Sequence, residues 1–340
     1  MIHTSEWVST GHPDKMADFI SCYILDRYLE KDPMTRYALE VQIKDNFVSL
    51  AGEITSKAEY SGSEIADFVR EAICKIGYTR KYQLLWGEEN TISGENILVD
   101  MHISHQSADI AQGVDAEGWG DQGIFFGMAV NSPDTSYLPL DWWLARKIGK
   151  MLFDRKVGGL DIKTQVTVEG NEVREVVVAI PMLQRHSVGD VANIVTFCLG
   201  GRKDYDLHVN GTGRFVKHGP VGDCGMTGRK LAVDFYGGNC KIGGGCPWTK
   251  DATKADLTLN ILARQIAVGT LFRCGRGVDA VYSALSCRIG SSQVMVSVED
   301  GKGNEIEPTT VKDIKPNEII ERYALRTPKF AWLCEEGLFH

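Results

Sequence analysis

The sequence predicts an α+β protein made of three structurally similar domains, each with helices packed on an antiparallel sheet. Strand-like segments occur as neighbouring pairs around short turns, which is typical of β-hairpins. Segments with apolar residues at helical spacing lie close to these pairs in every third of the chain. No GxGxxG motif follows a strand, so parallel dinucleotide-binding units are not indicated.

The first third supplies helices around a hairpin. Apolar residues at helical spacing predict a helix over residues 13–29, which a proline opens. YALEVQI and NFVSLAGEIT alternate around a turn at Lys44 and Asp45 and predict the hairpin. SEIADFVREAICKIG predicts a second helix that ends at Gly77, and ILVDMHIS predicts a further strand.

The middle and last thirds repeat this order. DWWLARKIGKMLF and VANIVTFCL predict helices on either side of a hairpin, IKTQVTV and EVVVAIPM, that turns at Gly170 and Asn171. In the last third, KLAVDF predicts a strand and ADLTLNILARQIAVG predicts a helix. DAVYSAL and QVMVSVED then predict two hairpin-like strands, and PNEIIERYA predicts a short helix.

We therefore expect four segments along the chain. They are an N-terminal α+β domain over residues 1–100, a gating loop over 101–120, a central α+β domain over 121–217 and a C-terminal α+β domain over 218–340. The polar run HQSADIAQGVDAEGWGDQG lies largely in the gating segment and is long for a connector, which predicts a mobile lid.

Composition and charge exclude several classes of protein for this chain. A chain of 340 residues can bury the cores of two or three domains. No apolar run approaches the roughly 18 residues of a membrane span, and the N-terminus lacks a signal peptide's basic and apolar regions, so we expect a cytoplasmic protein. Nine cysteines without a CxxC pair indicate reduced thiols. The net charge of −8 excludes a general nucleic-acid surface, so a polyanion needs locally clustered cations.

The stretch GPVGDCGMTGRK, residues 219–230, is the first candidate for such a cluster. Its glycine at every third position stops at Gly228 and an alternating run follows, which excludes collagen. One interpretation is a surface loop with solvated charges. The other is that backbone N–H groups approach an anionic ligand, while Asp223, Arg229 and Lys230 fix its polar groups.

The motif GHPDK is the second candidate. It places His12 just before a helix and Asp14 in its first turn, where free N–H groups attract a phosphate chain and Asp14 can hold the accompanying cation. The alternative is structural, with His12 as a cap and Asp14 favouring the helix dipole.

Two further segments carry spaced charges. In LDIKTQV, Asp161 and Lys163 are expected on one side of a strand, although a surface cross-strand pair is an alternative. GGGCPWTKDATKAD places Lys250, Lys254 and Asp256 around the start of a helix, with the two lysines expected on one face. Its glycines only loosely resemble a phosphate loop, because GxxxxGK[ST] is absent. No nucleophile–base pair stands out.

These segments, with AGEITS, GDQG, TGRF and VDFYGG, occur in the order of one known family. The chain resembles the S-adenosylmethionine synthetases, or methionine adenosyltransferases, over residues 3 to about 290. The resemblance implies their three-domain α+β fold. It also implies a reaction in which methionine sulfur attacks C5′ of ATP, after which the tripolyphosphate is hydrolysed to pyrophosphate and phosphate. The implied cofactors are two Mg²⁺ ions per site and K⁺. The implied assembly is a homodimer with sites at the subunit interface, possibly a tetramer.

Residue roles follow from the same resemblance at the matching positions. It implies catalytic roles for His12, Lys163, Arg229, Lys230 and Lys250. It implies that these residues and Asp161, Arg214, Phe215, Asp223 and Cys246 bind ATP. The implied methionine contacts are Glu53, Gln106, Asp121, Asp223 and Lys254, and the implied gating-loop residues are Gln106 and Asp109. The implied metal ligands are Asp14 and Asp256 for Mg²⁺ and Glu40 for K⁺.

The chain also departs from the family pattern. GGGCPWTKD stands where the family commonly has GGGAFSGKD, so residues 246–249 are expected to change the wall beside Lys250. Leu257 replaces an arginine, and helical spacing is expected to place it on the face of Lys250 and Lys254. The segment between Gln112 and Gly120 and the chain after Gly301 are shorter than usual. We expect these changes to affect turnover, gating and higher oligomers more than ligand class.

Two other functions remain open on the sequence. One is a non-catalytic binder of ATP or tripolyphosphate that serves as a partner subunit, although such a protein has no need to keep the metal acids Asp14 and Asp256. The other is an ATP-dependent kinase or ligase. The phosphate product formed from ATP and methionine separates these possibilities, because a kinase releases ADP and a binder releases nothing.

Overall fold

A computed structural model of the chain describes residues 1–105 and 118–339. The strands in these ranges form three four-stranded sheets. Helices pack against each sheet, which confirms the predicted α+β class with three similar units.

The first sheet carries the predicted N-terminal hairpin. Its strands, in spatial order, are β4 (Leu98–Ser104), β3 (Phe47–Thr55), β2 (Arg36–Lys44) and β9 (Gly225–Met226). Three helices belong to this part of the chain: α1 (Pro13–Lys31), α2 (Gly62–Ile76) and α3 (Arg80–Trp86). Helix α1 packs on β2 and against α2, and most of its residues are buried, including charged ones.

The second sheet combines the N-terminal strand with the central hairpin. Its strands, in spatial order, are β1 (Ile2–Val8), β6 (Lys163–Glu169), β7 (Glu172–Ala179) and β8 (Asp206–Val209). Helices α4 (Leu140–Asp154) and α5 (Val188–Cys198) pack together, with α4 on β1 and β6 and α5 on β8. The predicted turn at Gly170 and Asn171 is confirmed by the pairing of β6 with β7.

The third sheet is antiparallel throughout. Its strands, in spatial order, are β12 (Glu305–Asp313), β11 (Gln293–Asp300), β10 (Ala280–Cys287) and β5 (Gly123–Val130). Helix α7 (Ala255–Cys274) packs on β5 and β10, and α8 (Pro316–Arg322) packs on α7. The last helix, α9 (Phe330–Glu336), returns to pack on α1.

All three sheets combine strands that are distant in sequence. β1 pairs with β6, β9 pairs with β2, and β5 pairs with β10. Most pairs are antiparallel, while β3–β4 and β7–β8 are parallel. The division of the chain at residues 100, 120 and 217 stays a prediction, because each sheet takes strands from more than one third of the sequence.

Three local predictions are wrong. KLAVDF is not a strand, since Leu231–Asp234 forms the short helix α6. Lys250 and Lys254 do not share a helical face, because α7 begins only at Ala255 and Lys250 forms an isolated β-bridge with Ala38. Leu257 lies on α7 but Lys250 does not, so these two residues do not share a helical face, and Leu257 is 1% exposed and belongs to the main hydrophobic core.

The expected reduced state of the cysteines is confirmed. All nine cysteines are free thiols, as the missing CxxC pattern indicates. None of the helices in the described ranges combines the length and apolar character that spanning a bilayer requires.

Candidate active site

The N-terminus of α1 positions the first two candidate residues. Pro13 occupies the first turn of α1, and His12 is the N-cap, whose Nδ1 accepts a hydrogen bond from the backbone N–H of Asp14 at 3.2 Å. Because Nδ1 accepts, the proton of a neutral imidazole lies on Nε2, which can donate a hydrogen bond to a ligand. The predicted capping role and a ligand-binding role are therefore compatible.

Asp14 joins the helix to the glycine-rich loop. The carboxylate is 1% exposed and accepts the backbone N–H of Met226 at 3.0 Å. Its Oδ2 lies 2.5 Å from Nζ of Lys230, and its Oδ1 lies 3.3 Å from Nε of Arg229. A buried carboxylate between two cations explains why the loop runs close to α1 at this point.

Glycine permits this close approach at Gly225. A Cβ atom on Gly225 would lie 2.2 Å from the carbonyl oxygen of Pro13, so a side chain there collides with the first turn of α1. On its other side the loop pairs with β2, and the Thr227 hydroxyl donates to Glu40. The cations that follow are consequently held at a fixed distance from both elements.

Electrostatic contacts bring further predicted residues to this place. We call the group the Asp14 cluster, and its members are His12, Asp14, Asp161, Lys163, Asp223, Arg229 and Lys230. Lys163, at the start of β6, pairs with Glu6 across the strands at 2.9 Å, and its ammonium is near enough to act on His12. Lys163 thus forms a cross-strand pair, with Glu6, and its role toward a ligand stays a prediction.

The cluster shifts the pKa values of two of its members. Burial and the nearby Lys230 lower the pKa of His12 to about 4, so the imidazole is neutral at pH 7. Burial raises the pKa of Asp161 to about 7, and the carboxylates of Asp223 and Asp14 act in the same direction. Asp161 also accepts the backbone N–H of Gly219 at 2.9 Å, which ties the start of the glycine-rich loop to the segment before β6.

A second group of predicted residues forms around Lys250. Nζ of Lys250 lies 2.5 Å from Oδ2 of Asp256, in the first turn of α7. This carboxylate and Asp121 act against the effect of burial and leave the pKa of Lys250 raised. Gly245 lies so close that a Cβ atom on it would come within 1.7 Å of Oδ1 of Asp256.

Sheet register adds Glu53 to this group. Ala38 of β2 pairs with Glu53 on one side and with Lys250 on the other. Residues directly opposite each other in neighbouring strands point to the same face. Glu53 and Lys250 therefore lie on either side of Ala38 on the same face of the sheet. We call the group the Lys250 cluster, and its members are Glu53, Asp121, Cys246, Lys250, Lys254 and Asp256.

Lys254 is the unusual member of this group. It is only 7% exposed, and among the described residues its ammonium has no hydrogen-bond or ion-pair partner. A buried ammonium without a partner is unfavourable. The position therefore suits a ligand that carries a carboxylate.

The two clusters lie along one edge of β2. Met226 pairs with Gln42, and Lys250 pairs with Ala38 four residues away. At about 3.4 Å per strand residue, the two loops meet the edge roughly 14 Å apart. Glu40 projects between them.

Other predicted residues are less closely joined to the clusters. Arg214 is exposed and Phe215 is half-buried in the loop after β8, and this loop reaches Asp161 through Gly219. Within the described ranges, no hydrogen bond or ion pair links the Arg214 guanidinium to either cluster. Gln106, Asp109 and most of the predicted gating loop lie outside the described residues, which omit 106–117.

Sequence reasoning missed the contacts among a set of buried residues behind the clusters. They are Lys15, Asp18, Asp234 and Trp248. The only local signal was the spacing of Lys15 and Asp18 by three residues, which is the spacing of a helical ion pair. Asp234 and Trp248 are too distant in sequence for any periodicity to indicate them.

The carboxylates of the two clusters are the candidate ligands for the implied metals. Among the described residues, no group of three or more His, Cys, Asp or Glu side chains is arranged to hold a metal ion. Asp14 and Asp256 each offer one carboxylate, and each is paired with a lysine. Mg²⁺ commonly takes one or two carboxylates together with substrate phosphates and water, so the residues fit Mg²⁺ bound with a polyphosphate.

Comparison with known proteins gives one family across the chain. Models of the N-terminal, central and C-terminal domains of S-adenosylmethionine synthetase match residues 1–108, 116–215 and 217–340. The S-adenosylmethionine synthase of Granulibacter bethesdensis is 35% identical, with 99% of this chain and 91% of that protein covered. The S-adenosylmethionine synthase of Mesoplasma florum is 33% identical, with 99% and 94% covered.

A solved structure is similar in fold over nearly the whole chain. It is described as an unusual S-adenosylmethionine synthetase from Campylobacter jejuni, and it superposes with a TM-score of 0.86 at 28% identity. The match covers 99% of this chain and 94% of the other. Sequence and structure comparisons thus point to the same family.

Proposed function

The chain belongs to the S-adenosylmethionine synthetase family and is a methionine adenosyltransferase, and we propose that its two clusters together bind the two substrates, ATP and methionine. In this proposal the Asp14 cluster binds the polyphosphate of ATP and the Lys250 cluster binds methionine and one end of the phosphate chain. The observation that carries it is the convergence of charged residues from every third of the sequence on the Asp14 cluster.

The reaction fits the absence of a nucleophile–base pair among the motifs. Methionine sulfur is a neutral thioether, so its attack on C5′ of ATP requires no deprotonation. The barrier lies in the departure of a highly charged tripolyphosphate, which cations and hydrogen-bond donors stabilise. Lys163, Arg229 and Lys230 supply charge, and the neutral imidazole of His12 donates its Nε2–H to a phosphate oxygen.

Ligand binding requires an exchange of ion-pair partners. Lys230 neutralises Asp14, and Lys250 neutralises Asp256, at 2.5 Å in both pairs. We propose that both lysines turn to phosphate oxygens when ATP binds, which frees the two carboxylates for Mg²⁺. When bound, two Mg²⁺ ions would neutralise charge on the polyphosphate. Glu40, exposed between the clusters, is the proposed ligand of K⁺.

The residues that bind methionine are proposed from charge complementarity. The substrate carries a carboxylate and an ammonium. Buried Lys254 offers an unpaired positive charge for the carboxylate, and half-buried Glu53 offers a negative charge for the ammonium. Asp121 and Asp223 are the proposed groups that orient methionine and the nucleoside, and Phe215 is the proposed aromatic partner of adenine.

We also propose that the active unit is a homodimer in which each site takes one cluster from each chain. Several large apolar side chains on strands of the first and third sheets are exposed, which is typical of a protein interface. They are Phe47, Leu98, Ile124, Met226, Met295 and Val311. Enclosing a polyanion between two chains excludes water more fully than one face does. A cytoplasmic location, proposed from the sequence, is supported by the free thiols.

The test is to identify the products formed from ATP, methionine, Mg²⁺ and K⁺. The proposal predicts S-adenosylmethionine, pyrophosphate and phosphate in equal amounts, measured by chromatography and ³¹P NMR. ADP as the product would indicate a kinase, and no turnover would indicate a binding protein. Asp14→Asn serves as the inactive control.

A further inference from the structure

Behind the two clusters lies a charged group that no proposed ligand contact includes. We call it the buried cluster, and its members are Lys15, Asp18, Asp234 and Trp248. Lys15 is 4% exposed, Asp18 and Trp248 are fully buried, and Asp234 is 6% exposed. Four side chains with polar groups at this depth need a structural or functional reason, because burial of charge is costly unless the charges are paired.

Asp18 fixes the loop that carries Arg229 and Lys230. Its Oδ1 accepts the backbone N–H of Gly228 at 2.9 Å, and its Oδ2 lies 3.1 Å from Nζ of Lys15. Asp14, one turn earlier on α1, accepts the N–H of Met226. Two carboxylates on one helix face therefore hold alternate amides of a strand-like segment directly before the cations.

Trp248 fixes the loop that carries Lys250. Its Nε1–H donates to Asp234 at 2.8 Å, and the Lys15 ammonium lies 4.8 Å from its ring centroid. Lys15 also contacts Asp234 at 2.7 Å. Trp248 precedes Lys250 by two residues, so its anchoring limits how far Lys250 can move relative to α1.

A continuous chain of contacts thus joins the two cation-bearing loops. It runs from Gly228 through Asp18, Lys15 and Asp234 to Trp248. We propose that the buried cluster is a positioning device that fixes both cation-bearing loops of a chain, so that Arg229 and Lys230 on one loop, and Lys250 on the other, are each held in place for the polyphosphate they bind. This inference rests on the proposed function, in which these cations bind tripolyphosphate. The residues of the buried cluster act through the loops and do not touch the ligand.

Asp18→Ala is the direct test, and Asp26→Ala is its matched control. Asp26 is also a buried carboxylate on α1, and it accepts the backbone N–H groups of Phe330 and Ala331 at 2.9 Å each, at the start of α9. Both variants lose a buried carboxylate that anchors backbone, so both are expected to lower the melting temperature. Only Asp18→Ala is expected to weaken tripolyphosphate binding, by about tenfold, because a charge-assisted hydrogen bond to the loop is lost.

The measurement is isothermal titration of the full-length protein with tripolyphosphate and Mg²⁺, together with kcat and the methionine KM. Asp18→Ala should lower kcat with little change in KM, and Asp26→Ala should change neither by more than about twofold. Trp248→Phe keeps the ring beside Lys15 and removes only the donor to Asp234, so it should give a smaller loss of the same kind. If Asp18→Ala does not fold, the measurements on Trp248→Phe test the proposal instead.

The outcomes separate this inference from the function on which it rests. If the unmodified protein binds tripolyphosphate and Arg229→Leu weakens binding, the proposed phosphate site stands. If Asp18→Ala and Trp248→Phe then behave like Asp26→Ala, the positioning role is overturned while the site remains. If the unmodified protein does not bind tripolyphosphate, the proposed site and the positioning role both fail.

Discussion

Replacing Lys163 separates a catalytic charge from a structural one. The Lys163 side chain is 47% exposed, and its ion-pair partner in the described structure is Glu6, which is 37% exposed. A solvent-exposed pair of this kind contributes about 0.2–1 kcal/mol to folding. Lys163→Met should therefore lower the free energy of unfolding by less than about 1 kcal/mol.

The expected effect on turnover is much larger. If Lys163 neutralises charge that develops on the departing tripolyphosphate, its loss removes an interaction that is strongest in the transition state. Removing one such group costs about 2.7–4 kcal/mol, which corresponds to a decrease in kcat of roughly a hundredfold to a thousandfold. The methionine KM should change much less, because Lys163 belongs to the Asp14 cluster and not to the Lys250 cluster.

Glu6→Gln is the matched control, since it breaks the same ion pair from the other side. It should have a similar effect on the free energy of unfolding, measured by denaturant titration, and keep kcat within about threefold of the unmodified protein. Steady-state kinetics with both substrates provides kcat and KM for each variant. Near-full turnover in Lys163→Met, or an equal loss in both variants, would refute the assignment of Lys163 to the phosphate site.

Two other predictions concern the glycine-rich loop beside Asp256 and a buried histidine. Gly245→Ala should destabilise the protein by about 1–3 kcal/mol and lower activity, because its Cβ would lie 1.7 Å from Asp256, whereas Gly244→Ala should be tolerated because nothing lies within 4 Å of that Cβ. Equal melting temperatures and activities would contradict this difference. Burial lowers the pKa of His218 to about 4 from 6.5, so below pH 6.5 the unfolded chain gains a proton that the folded chain does not, and stability falls as the pH falls. Relative to His218→Gln, the unmodified protein should lose about 1.6 kcal/mol between pH 6.5 and 5, measured by denaturant unfolding, and parallel pH profiles would contradict it.

Local patterns predicted the elements whose partners are close in sequence. The hairpins β2–β3 and β6–β7 and the amphipathic helix α2, with Gly77 at its C-cap, follow from alternation, turn residues and helical periodicity. The strand β1 was missed because its partner β6 lies about 160 residues away. KLAVDF alternates like a strand, but none of the strands in the described ranges pairs with it, and its residues Leu231–Asp234 form the helix α6.

The candidate site was predicted in part for the same reason. Short motifs that join charge to glycine or to a helix start indicated Asp14, Asp223, Arg229, Lys230, Lys250, Lys254 and Asp256, whereas Glu53 and Asp121 came only from the family resemblance. Their partners depended on tertiary structure. Asp18 is buried and bonds to Gly228, and Trp248 points inward. Both depend on contacts between residues that are more than 200 positions apart in the sequence. Trp248, which lies where this chain departs from the family pattern, thus anchors the loop that carries Lys250.

Mixing two inactive variants tests most directly the claim that the two clusters serve one reaction from two chains. Lys163→Met lacks a charge of the Asp14 cluster, and Glu53→Gln lacks one of the Lys250 cluster. After free exchange of subunits in equal amounts, half of the dimers are mixed and each mixed dimer has one intact site, so the mixture should regain about a quarter of the unmodified activity. No recovery despite exchange proven by native mass spectrometry, or an active monomer at assay concentration, would contradict the shared site.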